Sequence, residues 1–328
     1  MAGSISTAES VYSFNSFVDR VIDPFFKSSA LIAPVGASAA MGFAASGMLW
    51  PAILSGVIGL VGAVGVYARF VAPFRLKVTH LDARTLIDMP AAGSSARTLR
   101  VCFFSDMHLG EFKQQAWASM LVERVNAEQP DLVLIGGDFV GKVDCCELHE
   151  LFAPLAGLRA KHGVYAVLGN HDYGIPGPDL SNDLLELLPR FGVRMLRNGC
   201  VYIDDGLHLV GLDELWATGA DFHGAAGACA RSGAITLVLG HNPDVMSAIA
   251  ADNVRDPQRT LFLFGHTHHG QIRVPFMPGA AIPIVGTLYR GIYELPQGAV
   301  YVSAGTGENT SPTRLGTVPE IVVFDLAY

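Results

Sequence analysis

The chain has 328 residues, of which 50% are hydrophobic and 16% are charged, and its formal net charge is -8. Average globular chains contain about 25% charged residues, so part of this chain is unusually apolar. The negative balance argues against a nucleic-acid partner, because phosphate contacts need clustered Lys and Arg. The five cysteines include no CxxC motif, which favours a reducing compartment over a disulfide framework.

The apolar excess lies near the N-terminus. Residues 28–68 form a run of 41 positions without Asp, Glu, Lys, Arg or His. One membrane span needs about 20 residues, and Pro51 near the middle of the run predicts a turn. We therefore expect a hairpin of two membrane helices over 30–50 and 52–68. One tilted span, or a buried helical pair in a soluble domain, is the alternative.

Small and basic residues refine this prediction. Small side chains let membrane helices approach closely, and here they recur at every third or fourth position: Gly36, Ala40, Ala44, Gly56, Gly59, Gly62 and Gly65. Basic residues on both sides favour both ends in the cytoplasm, and they are Arg20, Lys27, Arg69, Arg75 and Lys77. We predict an amphipathic segment over 1–27, a membrane anchor over 28–72 and a connector over 73–98.

From residue 99 onward, short apolar runs bounded by glycine alternate with amphipathic segments. "LRVCFFSD", "DLVLIGGD" and "GVYAVLGN" are typical of strands that are buried on both faces. Helical patterns such as "QQAWASMLVERVNAE" lie between them. The later strands have less helix between them. The pattern predicts a layered α/β domain over 99–328 with a partly mixed sheet.

The apolar runs end in polar residues that can bind a metal. Ligands in α/β sheets bind beyond the carboxyl ends of strands, so these side chains could converge on one rim. Seven candidates stand at such positions: Asp106, His108, Asp138, Asn170, His241, His266 and His268. Asp106 or Asp138 alone could be a helix N-cap, and Asn170 alone could be a turn residue. Together they predict a shared metal site.

The blocks "SDMHLG", "GGDFVG", "GNHDYG", "GHNPD" and "GHTHHG" resemble, in order, the motifs of the calcineurin-like metallophosphoesterases. The resemblance covers residues 99–328 and implies a β-sandwich flanked by helices. It also implies two divalent ions that share the carboxylate of Asp138.

The resemblance implies a role for each candidate ligand. One ion would be held by Asp106, His108, Asp138 and His268, and the other by Asp138, Asn170, His241 and His266. The family uses the position of His171 to protonate the leaving oxygen or to stabilise the transition state. Asp172 is then expected to orient the His171 imidazole. A mixed oxygen and nitrogen set favours Mn, with Fe or Zn as alternatives.

Three further residues are candidates for substrate binding. His269 stands where many relatives have glycine, and its ring could reach a phosphate or could be an exposed loop imidazole. Arg273 and Arg314 are candidates for a phosphate contact. The pair Cys145 and Cys146 is expected to pack a helix face.

The whole architecture resembles a membrane-anchored branch of the family that includes a UDP-2,3-diacylglucosamine pyrophosphatase of lipid A synthesis. This implies a lipid-linked or nucleotide-sugar phosphate substrate, cleaved to UMP and a lipid monophosphate. The catalytic domain would face the cytoplasm at the inner membrane. The alternatives are a broad phosphodiesterase or phosphatase on nucleotides, small diesters or phosphoproteins, and a non-catalytic metal-binding membrane scaffold.

Overall fold

The computed structural model describes residues 23–90, 97–229, 233–273 and 287–328. Two long helices come first, α1 (Asp23–Ala45) and α2 (Leu49–Val66). Both are long and apolar enough to cross a membrane. Their outward faces expose large apolar side chains, such as Leu31 at 74% and Trp50 at 77%. An exposed apolar surface of this size is typical of a membrane segment rather than of a buried helical pair. Residues 1–22 of the predicted amphipathic segment over 1–27 lie outside the described residues.

The hairpin turn lies a few residues before the predicted position. α1 ends at Ala45, and Gly47 adopts a left-handed conformation with φ +74° between the helices. Pro51 lies in the first turn of α2, where a missing backbone N–H leaves no hydrogen bond unmade. The prediction of a break at Pro51 is therefore wrong, because proline begins this helix rather than interrupting it.

The two helices pack antiparallel through glycine. A Cβ on Gly62 would lie 2.5 Å from the backbone nitrogen of Ala33, and one on Gly36 would lie 2.5 Å from that of Gly59. No side chain fits at these distances, so the glycines set how closely the helices approach. The small-residue pattern in the sequence thus marks the helix interface.

Beyond α2, the chain continues through a π-helical turn (Tyr67–Val71) and a 3-10 turn (Ala72–Phe74) into the domain. The predicted connector is partly wrong, because it contains β1 (Lys77–Leu81), which pairs in parallel with the last strand of the chain. The folded domain therefore starts before residue 99.

The domain contains two six-stranded sheets. The first sheet has the order β1-β12-β2-β3-β4-β5. Its other strands are β2 (Thr98–Phe104), β3 (Leu132–Gly136), β4 (Val164–Val167), β5 (Val193–Met195) and β12 (Glu320–Ala327). Only the pairing of β12 with β2 is antiparallel in this sheet.

The second sheet has the order β10-β11-β9-β8-β7-β6. Its strands are β6 (Gly199–Asp204), β7 (Leu207–Gly211), β8 (Ile235–Leu239), β9 (Thr260–Phe264), β10 (Gly291–Leu295) and β11 (Gly298–Val302). The two outer pairs are antiparallel and the inner pairs are parallel. The prediction of a partly mixed sheet is confirmed.

Apolar side chains on alternate faces of each strand hold the layers together. Val101 and Phe103 point between the sheets and pack in one core with Leu237. Their neighbour Phe104 points outward, where it packs in a second core with Leu121 of a helix. The helices are α3 (Gln115–Ala127), α4 (Leu148–Phe152), α5 (Ser181–Leu187) and α6 (Phe222–Gly227). The fold is the predicted sandwich with flanking helices.

One prediction about cysteine is wrong, and two other cysteines form a disulfide that the sequence did not predict. Cys200 on β6 and Cys229 after α6 form a disulfide, with their Cα atoms 5.8 Å apart. Their strand and helix are packed together, which sequence spacing could not show. Cys145 and Cys146 do not pack a helix face, because both are exposed in a 3-10 turn.

Candidate metal centre

The seven predicted ligands lie at the carboxyl ends of central strands in both sheets. Asp106 and His108 follow β2, Asp138 follows β3 and Asn170 follows β4. His241 follows β8, and His266 and His268 follow β9. All seven side chains are buried, with relative exposures between 0% and 5%. The structure brings the predicted set together at the edge where the two sheets meet.

The backbone is strained where it presents these ligands. Five of the seven adopt positive φ angles, between +43° and +71°, and they are Asp106, His108, Asp138, His266 and His268. Residues other than glycine rarely adopt this conformation, and such strain collects at functional sites. A close approach adds to the constraint, since a Cβ on Gly137 would lie 2.7 Å from the nitrogen of Gly169. The rim therefore holds its side chains in place at the expense of backbone freedom.

One group of candidate ligands contains Asp106, His108 and His268, whose ligand atoms lie within 4.8 Å of one another. The Nε2 atoms of His108 and His268 are 3.0 Å apart. Asp106 Oδ1 lies 3.6 Å from His268 Nε2. Hydrogen bonds from the backbone of His266 and the hydroxyl of Ser105 fix the Asp106 carboxylate. The group has the composition predicted for one ion.

A second group contains Asp138, His241 and His266. Asn170 joins it, because its Oδ1 lies 2.8 Å from His266 Nδ1 and 3.0 Å from His241 Nε2. Asp138 Oδ2 lies 3.2 Å from His241 Nε2 and 3.4 Å from His108 Nε2. This carboxylate therefore stands between the two groups, where a bridging ligand is expected.

Hydrogen bonds from the outer ring nitrogens show that a cation fits the site. His241 Nδ1 donates to the Gly136 carbonyl at 2.8 Å, and His108 Nδ1 donates to the Val140 carbonyl at 3.2 Å. In the neutral ring this leaves both Nε2 lone pairs directed at the Asp138 carboxylate. Lone pairs facing a carboxylate repel unless a cation lies among them, so the donor set suits metal ions. Nitrogen and oxygen donors without thiolate are compatible with Mn, Fe or Zn.

The charges of the buried groups are consistent with cation binding. Burial lowers the pKa of His241, but the carboxylates of Asp138 and Asp106 outweigh it and raise the pKa to about 10. Burial raises the pKa of Asp106 to about 7. Burial also raises the pKa of Asp138, but His241 and His171 outweigh it and hold it well below its usual range. The site thus retains a proton that a bound metal ion would displace.

His171 lies at the open side of the centre, and Asp172 does not orient it. The Asp172 carboxylate accepts hydrogen bonds from the backbone nitrogens of Phe139, Val140 and Gly169. It therefore holds the ligand loops together, and the predicted role of Asp172 is wrong. The backbone N–H of His171 donates to Asp138 Oδ1 at 2.9 Å.

The side chain of Asn309 hydrogen-bonds to the His171 ring, and sequence reasoning missed this residue. Its Nδ2 donates to His171 Nε2 over 2.9 Å. Gln271 holds this loop, because its Oε1 accepts from Asn309 N and its Nε2 donates to the carbonyls of Asn309 and Ser311. Asn309 follows His171 by 138 positions, and no spacing rule connects two loops so far apart.

The three predicted substrate contacts take different positions. His269 adopts φ +51°, as expected for a residue in place of glycine, but its Nε2 lies 2.7 Å from the Val302 carbonyl. Arg314 is fully buried, where it donates to Glu308 and to backbone carbonyls. These positions favour a structural role for both residues over a phosphate contact. Arg273 is partly exposed, and its role as a phosphate ligand stays a prediction.

The loop "GLDELW" forms another wall of the centre. Trp216 stands edge-on to the His266 ring, with the ring centroids 4.8 Å apart. Glu214 accepts hydrogen bonds from the backbone of Trp216 and Ala217, and burial raises its pKa to about 7. The sequence analysis assigned the residues of this block no role.

Comparisons with known proteins agree with this geometry. The model of the calcineurin-like phosphoesterase family matches residues 99–270. The chain is 30% identical to the uncharacterized metallophosphoesterase YkuE of Bacillus subtilis, over 85% of this chain and 94% of YkuE. It is 32% identical to a transmembrane protein with a metallophosphoesterase domain from Bos taurus, over 75% of this chain and 57% of that protein. It is 25% identical to the UDP-2,3-diacylglucosamine pyrophosphatase LpxG of Chlamydia muridarum, over 84% of this chain and 96% of LpxG.

Proposed function

Because the chain belongs to the calcineurin-like phosphoesterase family, we propose that it hydrolyses a membrane-lipid phosphoester at the membrane surface. The preferred substrate is UDP-2,3-diacylglucosamine, in which water would attack one phosphorus of the pyrophosphate. The P–O bond to the other phosphate breaks, and UMP and the lipid monophosphate leave. LpxG, which resembles the chain over most of its length, carries the name of this activity.

The two ligand groups support a dinuclear centre. Asp106, His108 and His268 would hold one ion with Asp138, and His241, His266 and Asn170 would hold the other with Asp138. When bound, two divalent ions supply positive charge to the phosphate oxygens and lower the pKa of water to about 7. We favour Mn, with Fe or Zn as alternatives for the same donor set.

His171 is positioned to handle the proton of the leaving group. Its ring is partly exposed, whereas every candidate ligand is buried. Burial lowers the pKa of His171, and Asp138 partly offsets this effect. Asn309 fixes the ring through Nε2. An imidazole in this place would donate a proton to the leaving oxygen or a hydrogen bond to the phosphate.

The observation that carries the lipid proposal is the contact between the hairpin and the centre. The Ala68 carbonyl accepts from Arg314 N at 2.9 Å, and Arg69 donates to the Pro312 carbonyl at 3.1 Å. The Pro73 carbonyl accepts from Lys113 Nζ at 2.8 Å. The loop that contains Asn309 is thus bound to the end of α2, which would place the centre close to the membrane surface.

The side of the membrane is a separate proposal. The basic residues that flank the hairpin support a catalytic domain in the cytoplasm at the inner membrane. The disulfide between Cys200 and Cys229 argues the other way, because disulfides persist mainly in oxidising compartments. A reporter that is active only in the cytoplasm, fused after Tyr328, separates the two. Activity supports our orientation, and silence from an expressed fusion contradicts it.

The substrate is tested by offering two esters to the purified, metal-loaded full-length protein. We expect turnover of UDP-2,3-diacylglucosamine to UMP, with kcat/KM well above that for bis-4-nitrophenyl phosphate. Strong turnover of the aryl diester with none of the lipid would replace the proposal with a broad phosphodiesterase. A metal-binding scaffold predicts turnover of neither.

A further inference from the structure

A cavity of about 320 Å³ opens beside the candidate centre. His108 and His171 form its inner end, and Phe112, Lys142, Pro176 and Pro178 form much of its sides. Its volume is at the lower end of the range of about 300–1,000 Å³ for small-molecule sites. The cavity therefore joins the reacting centre to a compartment that could hold one substituent of a phosphoester.

The cavity lies on the open side of the centre. The seven candidate ligands are at most 5% exposed, while His171 is partly exposed and lines the cavity. A phosphate beside His171 would therefore have one of its substituents in or near this compartment. The chemistry of the side chains that line the cavity then determines which substituent binds best.

One wall of the cavity is bound to the membrane hairpin. Phe112 precedes Lys113, whose buried ammonium group donates to the carbonyls of Pro73 and Thr306 and forms an ion pair with Glu308 at 3.2 Å. Glu308 also lines the cavity. Phe74 follows the end of α2 by eight positions and packs edge-on against Trp117 of the domain, so apolar surface continues from the hairpin to the domain. Phe74 remains 57% exposed.

The lining suits a hydrocarbon chain near a phosphate. Phe112, Pro176 and Pro178 present carbon atoms, and proline has no backbone N–H to donate. Lys142 and Glu111 are both exposed at the same cavity, where the Lys142 ammonium group can contact an anionic group. We propose that this cavity binds a hydrocarbon chain of the substrate, which enters from the adjacent membrane. The proposal rests on the function proposed above and adds the site that would select lipid esters.

Soluble esters test the cavity independently of membrane partition. The metal-loaded full-length protein in detergent is assayed with methyl, butyl and hexyl 4-nitrophenyl phosphates. Thymidine 5'-(4-nitrophenyl phosphate) is assayed as the nucleoside ester with the same leaving group. Since each buried CH₂ contributes about 0.8 kcal/mol, partial burial predicts a hexyl-to-methyl ratio of kcat/KM of about tenfold or more. Phe112→Asp should reduce this ratio towards one.

Two further variants complete the test. Ile292→Asp, at a position 47% exposed on β10, is the matched control and should keep the wild-type ratio. Pro178→Glu, at an exposed position on another wall, should lower the ratio even if Phe112→Asp fails to fold. Equal rates for all chain lengths, a preference for the thymidine ester, or an unchanged ratio in both wall variants would overturn the cavity proposal. UDP-2,3-diacylglucosamine is assayed in parallel, and hydrolysis of neither this lipid nor any of the soluble esters by fully metal-loaded protein would instead contradict the proposed function.

Discussion

The buried half and the open half of the candidate centre are built differently. The buried half consists of ligands that follow strand ends and are at most 5% exposed, and five of the seven have strained backbones. The open half consists of loops: His171 is partly exposed, Asn309 contacts its ring, and the cavity adjoins them. One half is fixed by the sheets, and the other contacts the segment that follows the apolar helical hairpin.

This difference separates chemistry from specificity. Changes in the buried half should affect hydrolysis of every ester, because all substrates need the same charge and the same water. Changes in the open half should affect some substrates, or some steps, more than others. Four variants test this division.

The largest effect is expected for Asp138→Asn in the buried half. Asp138 Oδ2 lies near ring nitrogens of both ligand groups, so the amide would weaken both sites together. Loss of several kcal/mol of charge stabilisation predicts a fall in kcat/KM of roughly 10³-fold or more. Steady-state kinetics and metal content measure this effect. Asp183→Asn, exposed on α5, is the control. Full activity in Asp138→Asn would exclude the bridging role.

His171→Gln should separate metal binding from proton transfer. General acid catalysis contributes about 10²–10⁴-fold, so kcat should fall by roughly 10² while the metal content stays at the wild-type value. The deficit should be smaller for esters with good leaving groups, since these need less protonation. Loss of metal together with activity would instead make His171 a ligand.

Asn309→Ala tests the residue that donates a hydrogen bond to the His171 ring. One hydrogen bond contributes about 1 kcal/mol, so kcat should fall about fivefold with little change in KM. The Asn309 donor stabilises the neutral ring, so its loss should raise the pKa of His171 and move the corresponding limb of the pH profile to higher pH. Asn253→Ala, at an exposed position, is the control. A lower kcat with an unmoved pH profile would indicate a merely structural role.

Gly62→Leu should have the smallest effect on hydrolysis of a soluble ester. Its side chain would meet the Ala33 backbone, while Gly42→Leu is a matched control because a Cβ there has no neighbour within 4 Å. In Gly62→Leu we expect the two helices to separate, which is measured as faster proteolysis of the membrane-bound protein. The kcat/KM for an aryl diester should stay within about twofold of wild type. Equal proteolysis of the two variants would contradict the glycine interface.

The buried half was predictable because each ligand stands directly after an apolar run. Strand ends share one edge of a sheet, so Asp106, Asp138 and His241 could be grouped before their distances were known. The small residues of the hairpin were likewise recognisable because they recur at every third or fourth position. These predictions depended on local sequence patterns, and the fold brings the residues of these patterns together.

The open half depends on long-range contacts that leave no local pattern. Asp172 looked like the partner of His171 because it is adjacent in sequence, but its carboxylate binds three backbone nitrogens. Arg314 was a candidate for a phosphate contact, but its buried side chain forms an ion pair with Glu308. The disulfide joined two cysteines 29 positions apart. Each outcome was decided by packing between distant segments.

The dinuclear centre is tested most directly by removing metal from the full-length protein with a chelator and titrating it with Mn²⁺. Bound metal and aryl-diester hydrolysis are measured on the same samples. We expect two ions per chain, release of protons on binding, and hydrolysis that follows occupancy of the second site. Full hydrolysis by the metal-free protein, or saturation of activity at one ion per chain, would contradict it.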